Sequence, residues 1–173
     1  MLAAIVPHKD RAWFFKVTGP MASVAKEHDQ FVDFVKGVRF EGDGKEPNWT
    51  LPEGWTEQPG DALRHATLTI PAEDGPLELS VTGLDKLPGH DDEYALSNIN
   101  RWRGQMGLPP TTNSAVKTEA MRFEVAGETA TMVNLEGNQA SGGTGRGPFA
   151  MPGIERPSAI KPFTNSEDAG DGD

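Results

Sequence analysis

Alternating strands joined by hairpin-type turns, and two amphipathic helices set apart from them, predict an α+β fold: an antiparallel sheet of six or seven strands covered by two helices. Three observations carry this expectation. Ala66, Leu68 and Ile70 alternate with His65, Thr67 and Thr69, and Leu77, Leu79 and Val81 alternate with Glu78, Ser80 and Thr82, the period of half-buried strands. Two longer stretches instead space their apolar residues at helical intervals. Turn residues then punctuate the chain between nearly all of these pieces.

Taken in order, Leu2–Val6 is an apolar run and Arg11–Val17 (RAWFFKV) is rich in aromatic, strand-favouring residues, with Pro7-His8-Lys9-Asp10 as the hairpin loop between them. Gly19-Pro20 opens the first helix, because proline's fixed φ suits the first helical position and Thr18 or Gly19 can cap it. Val24, His28, Phe31, Val35 and Val38 form its apolar face, and it ends near 37–40. Trp49-Thr50-Leu51-Pro52-Glu53-Gly54-Trp55 reads as extended chain around a Pro-x-Gly turn. Glu73-Asp74-Gly75-Pro76 links the two alternating strands. A second helix is expected over 91–106, with Ala95, Ile99, Trp102 and Met106 on one face. Gly107 can supply its left-handed cap, Leu108 can fold back, and Pro109-Pro110 cannot continue it. Val116–Val125 and Thr129–Leu135 read as a last hairpin around Ala126-Gly127-Glu128.

The chain of 173 residues suits one domain, expected at 1–140, followed by an extended tail at 141–173. From Gly137 onward, eight Gly and four Pro fall within 37 residues, too many for a packed segment. Gly142, Gly145 and Gly147 lack the Lys-Ser/Thr and the helix start of a phosphate loop, so a linker is the better reading. The formal net charge of -10 sits mainly in the middle: residues 1–48 are neutral, 49–140 carry -8 and 141–173 carry -2. Without a basic stripe, nucleic acid is not expected as a partner, nor is electrostatic binding to an anionic membrane. No apolar run is long enough to span a bilayer. With no cysteine, disulfides, thiolate nucleophiles and cysteine metal sites are excluded.

Ala12–Pro20 leading into the 31–40 helix, the Trp49-x-Leu51-Pro52-x-Gly54-Trp55 block and the run Asn98-Ile99-Asn100-Arg101-Trp102-Arg103 through Pro110 together resemble an uncharacterised family of bacterial, particularly planctomycete-type, proteins. Members often carry an export or lipoprotein signal, which implies the cell envelope; no signal peptide is present in this sequence. The same blocks look similar to the PsbP-like fold of the photosystem II extrinsic subunit, an antiparallel sheet covered by helices. The resemblance covers about residues 1–136 and defines no catalytic residues. Its segment order is reversed here. Circular permutation, with 49–136 followed by 1–40, would restore that order and place Leu135 beside Met1. A homodimer in which two copies exchange segments is the other account.

Asn98, Asn100, Arg101 and Arg103 are the candidate ligand-binding residues, since a guanidinium recognises carboxylate or phosphate with two parallel bonds and an amide both donates and accepts. On an ideal helix Arg101 and Arg103 point about 160° apart, so they cannot share one pocket, and a structural ion pair is the plainer role for one of them. His8, His28, His65 and His90 show no metal-ligand spacing, and His90-Asp91-Asp92-Glu93 is equally a helix-start signal. Ser23, Ser80, Ser97 and Ser114 lie outside any nucleophile motif. The expected function is therefore a non-enzymatic binding or scaffolding module for a protein or small-molecule ligand, with no catalytic residue, cofactor or metal. The alternative is a small hydrolase or ligand-processing enzyme with its site at His65, Asn98, Asn100 and Arg101.

Overall fold

The strands Leu2–His8 (β1) and Arg11–Thr18 (β2) sit in the middle of the fold, because both their faces are apolar. Leu2, Ala4, Val6, Trp13, Phe15 and Val17 belong to one buried cluster, while Ala3, Ile5, Ala12 and Phe14 belong to another. A strand buried on both sides reads as a continuous apolar run, and that is why LAAIV and AWFF do not alternate. The computed structural model describes residues 1–87 and 89–137, and the tail expected at 141–173 lies outside them.

The chain leaves β2 into two short helices, Met21–Lys26 (α1) and His28–Lys36 (α2). It then makes a small ribbon of Arg39–Phe40 (β3) and Pro47–Asn48 (β4) before the meander Thr56–Pro59 (β5), Ala66–Ile70 (β6) and Leu77–Asp85 (β7). Asp91–Gln105 (α3) and Asn113–Glu119 (α4) cross the sheet to the hairpin Met121–Val125 (β8) and Glu128–Asn134 (β9). The main sheet has seven strands in the order β5-β6-β7-β2-β1-β9-β8, every neighbouring pair antiparallel. This is the expected α+β class and strand count.

Val24, Phe31, Val32, Phe34, Val35 and Val38 cover the first face of the sheet, packing on Leu68, Ile70, Leu79 and Val81. Each such side chain contributes about 1.5–3 kcal/mol on burial. The second face is covered by Ala95, Ile99, Trp102 and Met106 of α3 with Val116 of α4. The end of α3 is a double reverse turn as expected: Gly107 has φ 69°, its N–H bonds the Gly104 carbonyl (3.2 Å), and the Leu108 N–H bonds the Arg103 carbonyl (2.8 Å).

Two expectations need correction. There are four helices among the described residues rather than two. The first expected helix is broken at Glu27, whose backbone (φ -89°, ψ 0°) leaves the helical path. Residues 116–119, the start of the strand expected at 116–125, belong instead to α4, because the Thr112 hydroxyl accepts from the Ala115 N–H (3.3 Å) and caps a helix shortly after the two prolines. His28 keeps a partly buried ring bonded to Asp29 (3.0 Å) at the boundary of the apolar face.

The first and last strands in chain order pair with each other inside the sheet. The backbone nitrogen of Met1 donates to the Leu135 carbonyl (2.8 Å), and the Leu135 N–H donates to the Met1 carbonyl (2.8 Å). This is the adjacency that circular permutation requires, and the β1–β9 seam closes within one copy of the chain.

Candidate functional site

The Asn-x-Asn-Arg-Trp-Arg run lies on α3, and the structure divides its polar residues between different tasks. Asn100 grips the loop that follows the helix: its Oδ1 accepts from the Thr111 N–H (2.7 Å) and its Nδ2 donates to the Thr111 carbonyl (3.1 Å). Arg103 Nε donates to the Pro109 carbonyl (2.7 Å), a second tie to the same loop. Asn98 is buried and donates to the Tyr94 carbonyl one turn earlier (2.9 Å). Asn98, Asn100 and Arg103 thus hold α3 and its exit together.

Arg101 projects to a different place, toward Tyr94 and the polar part of the second sheet face. Burial lowers its pKa, and Tyr94 acts in the opposite sense. Lys16 shares this region, with Ser80 as its strand partner and Thr67 next along the same rung. Burial holds the Lys16 ammonium below its ordinary value, Arg101 and Arg64 push it further down, and Glu78 opposes them. Glu78 is itself paired with Arg64 (2.7 Å). Because the folded pKa lies below the unfolded one, the unfolded chain binds more protons between the two. The Lys16 contribution therefore makes stability rise with pH in the window below 10.5. Lys16→Met is expected to stabilise the protein by about 1 kcal/mol at neutral pH and to flatten that rise, read by urea denaturation at neutral and alkaline pH. A less stable variant with an unchanged pH slope would refute this account of Lys16.

A cleft of about 600 Å³ opens on the other side of the sheet, between the 41–49 segment, β5 and the start of β6. Trp13, a β2 residue 1% exposed, anchors the 41–49 segment from within the core. Trp13 Nε1 donates to the Lys45 carbonyl (3.1 Å), and Lys9 Nζ donates to the Asp43 carbonyl (3.2 Å), so the β1–β2 hairpin carries the loop. His8 stacks on Phe40 (3.8 Å between centroids, 6° between planes) and fixes the ribbon to the same end of the sheet.

His65 stands edge-on to both Trp13 (5.0 Å) and Trp49 (6.0 Å). Trp49 also packs on Phe15 and Phe34, while its Nε1 donates to Glu57 (3.2 Å). Across the cleft, Asn48 Nδ2 donates to Glu41 (3.2 Å). His65 is delivered by a tight turn in which Asp61 Oδ1 accepts from the N–H groups of Leu63 (2.7 Å) and Arg64 (2.9 Å). Those two bonds lower the Asp61 pKa. The lining thus joins an indole and an imidazole to three carboxylates, Glu41, Glu46 and Glu57, against one lysine, Lys45.

This geometry separates the residues of the expected enzyme site. His65 packs with the aromatic cluster of the first face, whereas Asn98, Asn100 and Arg101 ride on α3 over the second. The sheet stands between them, so one copy of the chain does not assemble the four into a site. Among the described residues no group of three or more His, Asp or Glu is placed to hold a metal ion, and no helix is long and apolar enough to cross a membrane. Trp49 was legible only as one end of a turn, and Glu41, Glu46 and Glu57 carry no sequence signal in a chain this acidic.

Comparison of the chain with protein-family models, curated proteins and solved structures finds no match.

Proposed function

We propose that the protein is a non-enzymatic binding module whose aromatic cleft takes a small organic cation. The observation that supports this reading is the cleft's composition: a Trp and a His side chain beside three carboxylates and one lysine, in a space of about 600 Å³. Pockets of this volume accommodate small molecules, and a cation gains both from the face of an indole and from nearby carboxylates. The family resemblance adds an envelope setting and a PsbP-like architecture to the proposal, with the segments in permuted order.

Titration with choline and with spermidine, followed by tryptophan fluorescence, tests the reading. Saturable quenching that weakens with added salt is expected, since the attraction is partly electrostatic. Trp49→Ala should abolish the response, and Glu57→Gln, at an exposed position, should weaken it with little change in folding. Acetate should produce no response. If neither cation changes the fluorescence, or if Glu57→Gln binds as the parent does, the reading fails.

A further inference from the structure

We propose that the outer edge of β8 docks a second copy of this chain, joining two seven-stranded sheets through an antiparallel β8–β8 pair. No segment is exchanged in this dimer, since the β1–β9 seam closes within each copy.

The two ends of the sheet are unlike each other. β5 closes one end with Thr56-Glu57-Gln58-Pro59, four exposed residues of which the last has no N–H to offer. β8 closes the other end with Met121-Arg122-Phe123-Glu124-Val125, which contains neither proline nor glycine, and Met121 is 43% exposed there. Such an edge is a template for another strand unless its charges repel the newcomer.

Hairpin geometry decides which backbone groups β8 offers. Ala126 (φ 51°) and Gly127 (φ 84°) form a two-residue turn, so Val125 and Glu128 are a hydrogen-bonded pair. Bonded and non-bonded pairs alternate along the ladder, so Met121, Phe123 and Val125 turn their N–H and carbonyl groups inward to β9. The reciprocal bonds between Met1 and Leu135 set the same alternation from the other side of β9, leaving Ala130 and Met132 to bond toward β8. The backbone groups of Arg122 and Glu124 therefore face the open edge.

The β8 sequence is self-complementary about Phe123. When two antiparallel copies are centred there, Arg122 of each stands opposite Glu124 of the other. These are the two positions whose backbone groups are free, so the pairing makes four backbone hydrogen bonds and two reciprocal ion pairs. Arg122 already donates to Asp92 (3.1 Å), but a guanidinium has five N–H donors and can take a second carboxylate. Glu124 forms no ion pair with its own chain among the described residues. Phe123 meets its counterpart at a non-bonded position, where side chains approach most closely. On that face the exposed Lys36 lies over the ring (5.6 Å), opposite to the face of the ion pairs. A slip of two residues sets Arg122 against Arg122 or Glu124 against Glu124, so charge fixes the register. Five residues a side make a small interface, and the dimer is accordingly weak. The aromatic cleft lies at the β5 end and stays open in it.

Sedimentation velocity of the full chain tests this. A monomer–dimer equilibrium is expected between about 5 µM and about 1 mM, weakened by salt. Glu124→Lys and Arg122→Glu should each stay monomeric throughout, yet an equimolar mixture of the two should dimerise, because opposite charges then meet at both positions. Glu124→Pro removes an outward N–H while leaving the bonds to β9 in place, so it should fold as the parent does by circular dichroism and remain monomeric. A parent chain still monomeric at the highest concentration would overturn the proposal. So would a dimer that survives Glu124→Lys or Glu124→Pro, or a mixture of the two folded charge variants that stays monomeric.

Discussion

Trp13→Ala is expected to remove about 3–5 kcal/mol of folding stability, the range for truncating a large, fully packed aromatic side chain. The indole is held from several sides. Its strand partner on β7 is Gly83, where a Cβ would stand 2.8 Å from the ring, so glycine is what lets the indole lie flat across the neighbouring strand. The Arg11 guanidinium sits 5.1 Å over the ring and donates to the Gly83 carbonyl (3.2 Å). His65 closes one edge, and the Lys45 carbonyl receives Nε1.

Alanine would therefore leave a cavity and strip the 41–49 segment of its anchor. Trp13→Phe separates the two effects, keeping much of the packing and losing the Nε1 bond, at about 1–2 kcal/mol. Urea denaturation gives the first number and choline titration the second consequence, because the cleft depends on where Lys45 is held. A Trp13→Ala loss below about 1 kcal/mol would mean that the ring is not the keystone described.

Asn100→Ala is expected to cost about 2–3 kcal/mol, because it removes two hydrogen bonds and leaves the Thr111 N–H and carbonyl, both partly buried, without partners. Asn100→Asp should fall between the parent and alanine: its carboxylate still accepts from the Thr111 N–H but cannot donate to the carbonyl. Arg103→Ala should cost less than about 1 kcal/mol, since its bond to Pro109 is exposed. None of the three should alter choline binding across the sheet. A stable Asn100→Ala protein that had lost a ligand would return Asn100 to the binding role expected from its sequence.

What could be read in advance depended on the range of the signal. The β1–β2 hairpin, the alternating β6 and β7, and the close of α3 at Gly107-Leu108 all rest on residues within a few positions of each other, and all stand nearly where expected. Glu27 and the 113–119 helix were missed because single-residue backbone geometry and one Thr112 cap decided them against the local pattern. In the Asn-x-Asn-Arg-Trp-Arg run, residue type cannot tell an amide that binds a ligand from one that binds Thr111. The aromatic cleft was illegible for another reason. Trp13, Trp49, Glu57 and His65 come together only because β2, β5 and β6 lie in one sheet and the ribbon folds back over its end.

The seam between β1 and β9 has a mechanical meaning. Residues 1 and 135 are neighbours at one end of an antiparallel pair, although 134 positions separate them in the chain. A load applied between those two points peels the seam one bond at a time, as a zipper opens, instead of shearing all its bonds together. The same seam pairs parts of the chain that are far apart in sequence, so its formation carries the heaviest loop-closure cost in the sheet, while each flanking hairpin can form locally. A seam buried on both faces is thus also the line along which the sheet is last to close and first to part.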